Sequence, residues 1–187
     1  MKRNLKYLTL AACLVLLASV ACRQKTTERR LALLSGACWV CEVQDGDYVG
    51  TQHLQFLRDG RFRQQDSLCF ASEDSGFAFR IRLSVSNEGE WGLAGDSLWV
   101  KYDRAQLRVL PDARSFAVQT LDDSIGIDRA VKDSMCATLT RCLEQDFRDR
   151  YEAVSGYRLP LGKMTNLTKN TLCLRNGPRT LPLQRAD

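Results

Sequence analysis

Large apolar side chains recur at every second position from Phe77 to Val85, and most of the residues between them are charged or carry a hydroxyl. A period of two places alternate side chains on opposite faces of an extended strand. The pattern therefore predicts a half-buried strand, with one face in a core and the other in water. Shorter runs of the same kind recur at Leu54/Phe56, Trp91/Leu93, Leu98/Val100/Tyr102, Leu107/Val109, Phe116/Val118, Leu172/Leu174 and Leu181/Leu183.

Turn signals separate these runs at short intervals, at Asp59-Gly60, Gly95-Asp96 and Asn176-Gly177. Asn, Asp and Gly are favoured in hairpin turns because they tolerate a positive φ. Many short strands joined by such turns predict a mainly β fold, an antiparallel β-barrel or sandwich. Pro182 lacks an amide donor, so we expect it on an edge strand.

One stretch departs from the period of two. From Ile127 to Val154 the apolar residues follow one another at intervals of three or four, which predicts one long amphipathic helix inserted before the last strands. The polar residues 122–124 are candidates to cap its start, Gly156 ends it, and its length allows a break near residues 138–140. We expect the helix to pack on the sheet as a lid, and the alternative is a helix that binds a partner.

Residues 1–21 have the pattern of a secretory signal, with cations at positions 2, 3 and 6, an apolar run over 8–20 and small residues before Cys22. The run is shorter than the ~20 residues of a spanning helix. A cysteine directly after small residues resembles the lipobox of bacterial lipoproteins, whose mature chain begins at a lipidated cysteine. We expect lipidation at Cys22 rather than Cys13, because cleavage at Cys13 would leave residues 14–20 as an exposed apolar arm. The resemblance implies an exported protein anchored by acyl chains such as palmitate, with the outer membrane as its expected location.

The charge balance argues against a nucleic-acid partner. The chain has 27 Lys and Arg against 22 Asp and Glu, and three of the basic residues lie in the expected signal, which leaves 24 against 22. No basic block with interleaved aromatic residues remains. A length of 187 residues allows one domain. We therefore divide the chain into a signal (1–21), a tether (22–35) and a β domain (36–187) with a helical insertion (127–154).

Several hairpin segments resemble the small lipocalin-like domains of Bacteroidetes lipoproteins. They are residues 54–62 (LQFLRDGRF), 89–98 (GEWGLAGDSL), 167–172 (LTKNTL) and 181–185 (LPLQR). The resemblance covers most of the β domain apart from the helix, and it implies a lipocalin-like barrel that binds a small apolar ligand without catalysis. The opening residues 36–39 (GACW) differ from the family pattern, since lipocalins usually have one residue between this Gly and Trp.

Six cysteines remain after the expected signal and Cys22: Cys38, Cys41, Cys69, Cys136, Cys142 and Cys173. An exported chain can oxidise them, and the sequence leaves the pairing open. Cys136 and Cys142 are excluded as a pair within one helix, because six helical residues rise ~9 Å and a bridge needs Cα atoms within ~7 Å. We expect at least one disulfide between the helix and the sheet. A thioredoxin-type role for Cys38 and Cys41 is disfavoured, because a strand-and-turn sequence follows them where that chemistry needs a helix.

The sequence gives no catalytic residue, metal site or cofactor to assign. It has no Gly-x-Ser-x-Gly motif, and its single histidine, His53, lies in the polar phase of its strand. Four aromatic residues, Phe77, Phe79, Trp91 and Tyr102, are candidates to line a ligand cavity, although an eight-stranded barrel can equally be filled by its own side chains.

Three functions follow, in order of preference. The first is a membrane-anchored lipoprotein whose lipocalin-like barrel binds a small apolar ligand. The second is a structural or interaction protein of the cell envelope with a filled barrel, no ligand and an envelope protein as partner. The third is an unrecognised enzyme, which two carboxylates converging in a cleft would support.

Overall fold

A computed structural model describes residues 26–121 and 126–186, within which the chain forms nine β-strands and two α-helices. Helix α1 covers residues 26–34, and helix α2 covers Arg129–Val154. The strands are β1 (Cys38–Asp45), β2 (Tyr48–Phe56), β3 (Arg61–Asp74), β4 (Phe77–Ala94), β5 (Ser97–Tyr102), β6 (Arg108–Thr120), β7 (Leu159–Leu167), β8 (Thr171–Asn176) and β9 (Arg179–Ala186). A short 3-10 helix, Arg104–Gln106, lies between β5 and β6.

The strands form a closed antiparallel barrel, which confirms the predicted fold class. The order β3-β2-β1-β9-β8-β7-β5-β4 closes on itself because β3 also pairs with β4, and β6 is an additional strand beside β4. Strand β9 lies between β1 and β8 in the wall of the barrel, so the prediction that it is an edge strand is wrong. Pro182 is nevertheless tolerated, because this part of β9 pairs with β8 alone, and the pairing with β1 begins only at Gln184.

Strand β4 is long enough to serve two sheets. Its first half, Phe77 to Ser86, pairs with β6, and its second half, from Gly89, pairs with β5 and closes the barrel. The switch falls at Gly89, where an added Cβ would lie 2.0 Å from the carbonyl oxygen of Lys101. Glycine at this position therefore permits the close approach of β4 and β5. On the N-terminal side of Gly89, the first half of β4 forms a sheet with β2, β3 and β6 that we call the sheet extension.

The inward-facing side chains form two apolar cores. The barrel core contains the buried residues Leu34, Ala37, Trp39, Cys41, Leu54, Phe56, Phe62, Trp91, Leu98, Val100, Met164, Leu172, Leu174 and Leu183. The helix core lies between α2 and the sheet extension and contains Tyr48, Leu68, Ile81, Leu83, Val85, Phe116, Leu143 and Phe147. Helix α2 therefore covers the apolar inner face that the sheet extension would otherwise expose.

Helix α2 follows the predicted register. It begins after Asp128, whose side chain accepts a hydrogen bond from the amide of Ala130, and it continues without a break through residues 138–140. Gly156, with a φ of +80°, follows its end. The capping candidates 122–124 lie outside the described residues. Within the described ranges, neither helix has the length and apolar content required to cross a membrane.

Part of the expected tether belongs to the fold. Residues 26–34 are helical, and Leu34, at the end of α1, is fully buried in the barrel core. The indole nitrogen of Trp39 donates a hydrogen bond to the carbonyl oxygen of Leu34 at 3.2 Å. The amide of Gly36 donates to the carbonyl of Phe56 at 3.0 Å, which fixes the end of α1 against β2. The expected signal 1–21 and Cys22 lie outside the described residues.

Two leucines of α1 test whether this helix closes the barrel. We expect Leu34→Ala to lower the free energy of unfolding by about 2–5 kcal/mol, because it opens a cavity in a packed core. Leu31→Ala is the matched control, since Leu31 is 38% exposed, and should cost about 0.5 kcal/mol or less. Urea titration followed by tryptophan fluorescence measures both, and equal losses would show that α1 is not part of the barrel core.

Candidate functional site

The end of the barrel next to α1 is filled by its own side chains. Trp39, Phe56 and Phe62 are fully buried there, and the ring centroids of Phe56 and Trp91 are 5.1 Å apart. The indole nitrogen of Trp91 donates to the carbonyl oxygen of Leu57 at 2.8 Å. Trp91, predicted as a cavity residue, therefore packs in the barrel core.

A layer of polar side chains separates the barrel core from the helix core. We call it the polar layer and define it as Gln64, Asp66, Asn87, Tyr102 and Tyr151. The first three are buried polar residues on the inner faces of β3 and β4, and Gln64 is paired directly with Asn87 across these strands. Tyr102 is on β5 and Tyr151 on α2, with their rings 5.0 Å apart. The layer thus joins β3 and β5 to the helix. Asn87 of β4 belongs to it by position, and its side-chain nitrogen and oxygen are buried without a hydrogen-bond partner among the described residues.

Gln64 is the hub of the polar layer. Its Nε2 donates to Asp66 Oδ2 at 2.6 Å and to the hydroxyl oxygen of Tyr151 at 3.0 Å. Its Oε1 accepts from the hydroxyl of Tyr102 at 2.9 Å. One amide side chain therefore uses its donors and its acceptor to connect β3, β5 and α2. A buried side chain satisfied in this way specifies where the helix lies on the barrel.

Burial dominates the electrostatics of the polar layer. It raises the pKa of Asp66 from 3.8 to about 6, while hydrogen bonds from Gln64 and Gln52 and the charge of His53 act in the opposite direction. Burial and the nearby Asp66 also raise the pKa of the Tyr102 phenol. Asp66 therefore titrates in the weakly acidic range, as a carboxyl group enclosed by the fold.

The raised pKa of Asp66 predicts a pH-dependent stability. The folded protein holds this proton more tightly than the unfolded chain does. The protonated carboxyl of Asp66 therefore makes its full contribution to the free energy of unfolding below pH ~4, and this contribution is lost as the pH rises through ~6. A shift from 3.8 to about 6 corresponds to on the order of 3 kcal/mol. We expect Asp66→Asn to become more stable relative to the native protein between pH 4 and pH 7.5, as measured by urea unfolding across that range. The matched control is Asp149→Asn on the exposed face of α2, and the same pH trend in both variants would contradict the assignment.

A second feature is a cleft between the first half of α2 and the β3–β4 hairpin, which we call the hairpin cleft. Its volume is about 380 Å³. Phe70 and Phe79 of the hairpin and Met135 and Leu139 of α2 form its apolar surface, and all four also pack against the helix core. The other lining residues are Ser72, Asp74, Ser134, Thr138 and Cys142. The cleft is therefore mainly apolar with a rim of small polar groups, the composition typical of ligand sites.

The four predicted cavity residues are divided among three places. Phe79 lines the hairpin cleft, and Phe77 lies beside it with the two ring centres 6.2 Å apart. Trp91 is in the barrel core, and Tyr102 is in the polar layer. The cleft residues that the prediction lacked include Met135 and Leu139, which are on the apolar stripe of the predicted helix.

Two further grooves lie on the outside of the barrel and are more polar. One, of about 580 Å³, is lined by residues such as Arg61, Glu90 and Arg104. The other, of about 440 Å³, contains Cys38 and His53, whose Sγ and Nδ1 atoms are 3.7 Å apart. Burial raises the pKa of the Cys38 thiol, which favours the protonated form over the nucleophilic thiolate.

The cysteines within residues 26–121 and 126–186 are free thiols in this structure: Cys38, Cys41, Cys69, Cys136, Cys142 and Cys173. Cys38 faces outward and Cys41 inward, as their spacing on a strand predicts. The Nε of Arg80 donates to Cys69 Sγ at 3.2 Å, and Cys136 Sγ lies 3.9 Å from the carbonyl oxygen of Ala113. The disulfide expected between helix and sheet stays a prediction. Among the described residues, no three His, Cys, Asp or Glu side chains cluster closely enough to hold a metal ion.

Comparison of the chain with protein-family models gives no match, and comparison with curated proteins gives none either.

Proposed function

We propose that this protein is a lipid-anchored, non-catalytic binding protein that takes a small apolar ligand in the hairpin cleft. The observation that carries the proposal is the cleft itself, about 380 Å³ in volume and lined by Phe70, Phe79, Met135 and Leu139. Small-molecule sites commonly have about 300–1,000 Å³, a mostly apolar surface and a few polar groups. The hairpin cleft meets each of these criteria.

The packing of the barrel moves the expected site away from the barrel interior. A lipocalin-like resemblance implies a ligand inside the barrel, yet the barrel core is filled by its own tryptophan, phenylalanine and leucine side chains. Close-packed interiors accept added atoms only with strain. The cleft under α2 is an apolar space that needs no such rearrangement, which supports it as the binding site.

The second candidate is an interaction protein of the cell envelope that binds no ligand. It is favoured by two exposed side chains, Val49 at 55% and Leu110 at 65% exposure, which line one groove of about 410 Å³ on the outer face of the sheet extension. Apolar side chains grouped on a surface are typical of contact sites between proteins. A ligand in the hairpin cleft and a partner on this outer face are separable by experiment, because different residues line the two places.

Filling the cleft tests the ligand-binding proposal. Thr138 lines the cleft, so we expect Thr138→Trp to occupy its volume and to weaken binding of the uncharged dye N-phenyl-1-naphthylamine by on the order of ten-fold or more. Ala137→Trp is the matched control, because Ala137 is the neighbouring exposed residue on α2 and does not line the cleft. Dye fluorescence measures both affinities, and equal dye binding by the two variants would contradict the proposed site.

The lipid anchor is tested by metabolic labelling with an alkyne analogue of palmitate in a bacterial host. We expect the native protein and Cys13→Ala to be labelled and Cys22→Ala to lose the label, because the acyl chains attach to the first residue of the mature chain. Labelling that survives in Cys22→Ala and is lost in Cys13→Ala would move the anchor to Cys13. An unlabelled native protein would contradict the anchor altogether.

A further inference from the structure

The rim of the hairpin cleft has an uneven distribution of charge. Among the described residues that line it, Asp74 is the charged side chain, and the other polar groups are hydroxyls and the thiol of Cys142. The nearest basic residues of the first half of α2, Lys132 and Arg141, do not line the cleft. The described lining of the cleft therefore presents a carboxylate and no lysine or arginine to a ligand.

Asp74 lies at the exposed end of the rim, next to the turn of the β3–β4 hairpin. It is the last residue of β3, and its Oδ1 accepts a hydrogen bond from the hydroxyl of Ser75 at 3.0 Å. Asp74 takes part in none of the ion pairs formed within the described ranges. A positioned carboxylate without a basic partner attracts a cation on the ligand.

Aromatic side chains are neighbours of this carboxylate in the hairpin, where Asp74 pairs directly with Phe77 across β3 and β4. Phe79 and Phe70 line the cleft, and Phe77 lies beside Phe79 with the ring planes inclined at 41°. Aromatic faces attract ammonium groups through their quadrupole, and a carboxylate nearby adds a Coulombic attraction for the same cation. The same rings also offer apolar surface to a hydrocarbon chain. One cleft thus combines recognition of a cation with recognition of an alkyl chain.

From these observations we infer that the hairpin cleft is selective for amphiphiles with a cationic head group, such as alkylammonium compounds, with the head group between Asp74 and the phenylalanine rings. This inference rests on the proposed function of the cleft as a ligand site and adds the chemical class of the ligand. The hydrocarbon chain lies between Met135 and Leu139 on one side and the hairpin on the other. An anionic amphiphile of the same length finds no lysine or arginine among the described residues of the rim and is repelled by Asp74.

Three ligands with the same alkyl chain test the inference on the native protein: decyltrimethylammonium, decanol and decanoate, each below its micellar concentration and at pH 8. We expect decyltrimethylammonium to bind on the order of ten-fold more tightly than decanol, and decanoate to bind most weakly. The preference for the cation should shrink as salt is raised, because the rim is exposed to solvent. Isothermal titration calorimetry measures each affinity.

Two neighbouring carboxylates provide the matched variants. Asp74→Asn should bring the affinity for decyltrimethylammonium close to that for decanol. Glu73→Gln should preserve the preference, because Glu73 is the preceding residue of β3 and its side chain lies on the opposite face of the strand. Phe79→Leu keeps an apolar surface and removes one ring, so it should reduce the cation preference while decanol binding changes less.

The outcomes separate the head-group inference from the proposed function. Equal binding of all three ligands, or a preference that Asp74→Asn leaves intact, would overturn the inference and leave the cleft as an apolar site. Binding of none of the three, together with no displacement of N-phenyl-1-naphthylamine, would overturn the proposed function itself. A cation preference lost in Asp74→Asn and kept in Glu73→Gln supports both.

Discussion

The position of α2 on the barrel depends on the hydrogen bonds of one buried amide, that of Gln64. Its donors and its acceptor reach Asp66, Tyr102 and Tyr151, and so connect β3, β5 and the helix. An apolar core alone allows a helix to slide or rotate, because dispersion and burial are not directional. Directional bonds inside such a core select one arrangement and penalise the others, since a buried donor or acceptor left without a partner is costly.

Surface contacts around the last turns of α2 support the same arrangement. The hydroxyl of Tyr48 donates to Asp146 at 3.1 Å, and Arg150 pairs with Asp45 at 3.2 Å. Arg104 pairs with Glu152 at 2.6 Å. Exposed ion pairs of this kind each contribute little, but they are all on the second half of α2. The first half contacts the sheet through Met135 and Leu139 and leaves the hairpin cleft beside it, so the firmly held half of the helix positions the half that borders the cleft.

Much of the fold was predictable, because alternation and helical spacing report directly which side chains face a core. The strands around Phe77–Val85 and the apolar face of α2 follow from such patterns. The polar layer was missed because a polar residue in a strand is ordinarily assigned to solvent. The signal was present, since Gln64 and Asp66 fall in phase with Phe62 and Leu68 on β3. Trp91 and Tyr102 were grouped with Phe79 because period two identifies a face of a strand and not the level along the barrel at which a residue lies.

The length of β3 separates the two ends of the molecule. The end of α1 is fixed against Phe56, which pairs with Phe62 near the start of β3, whereas Asp74 is at its other end. Fourteen residues of strand extend roughly 40 Å. The cleft and the segment ahead of α1 therefore lie towards opposite ends of β3. A molecule held by that segment would keep the opening of the cleft clear of whatever holds it, so that the ligand site and the point of attachment do not compete for the same surface.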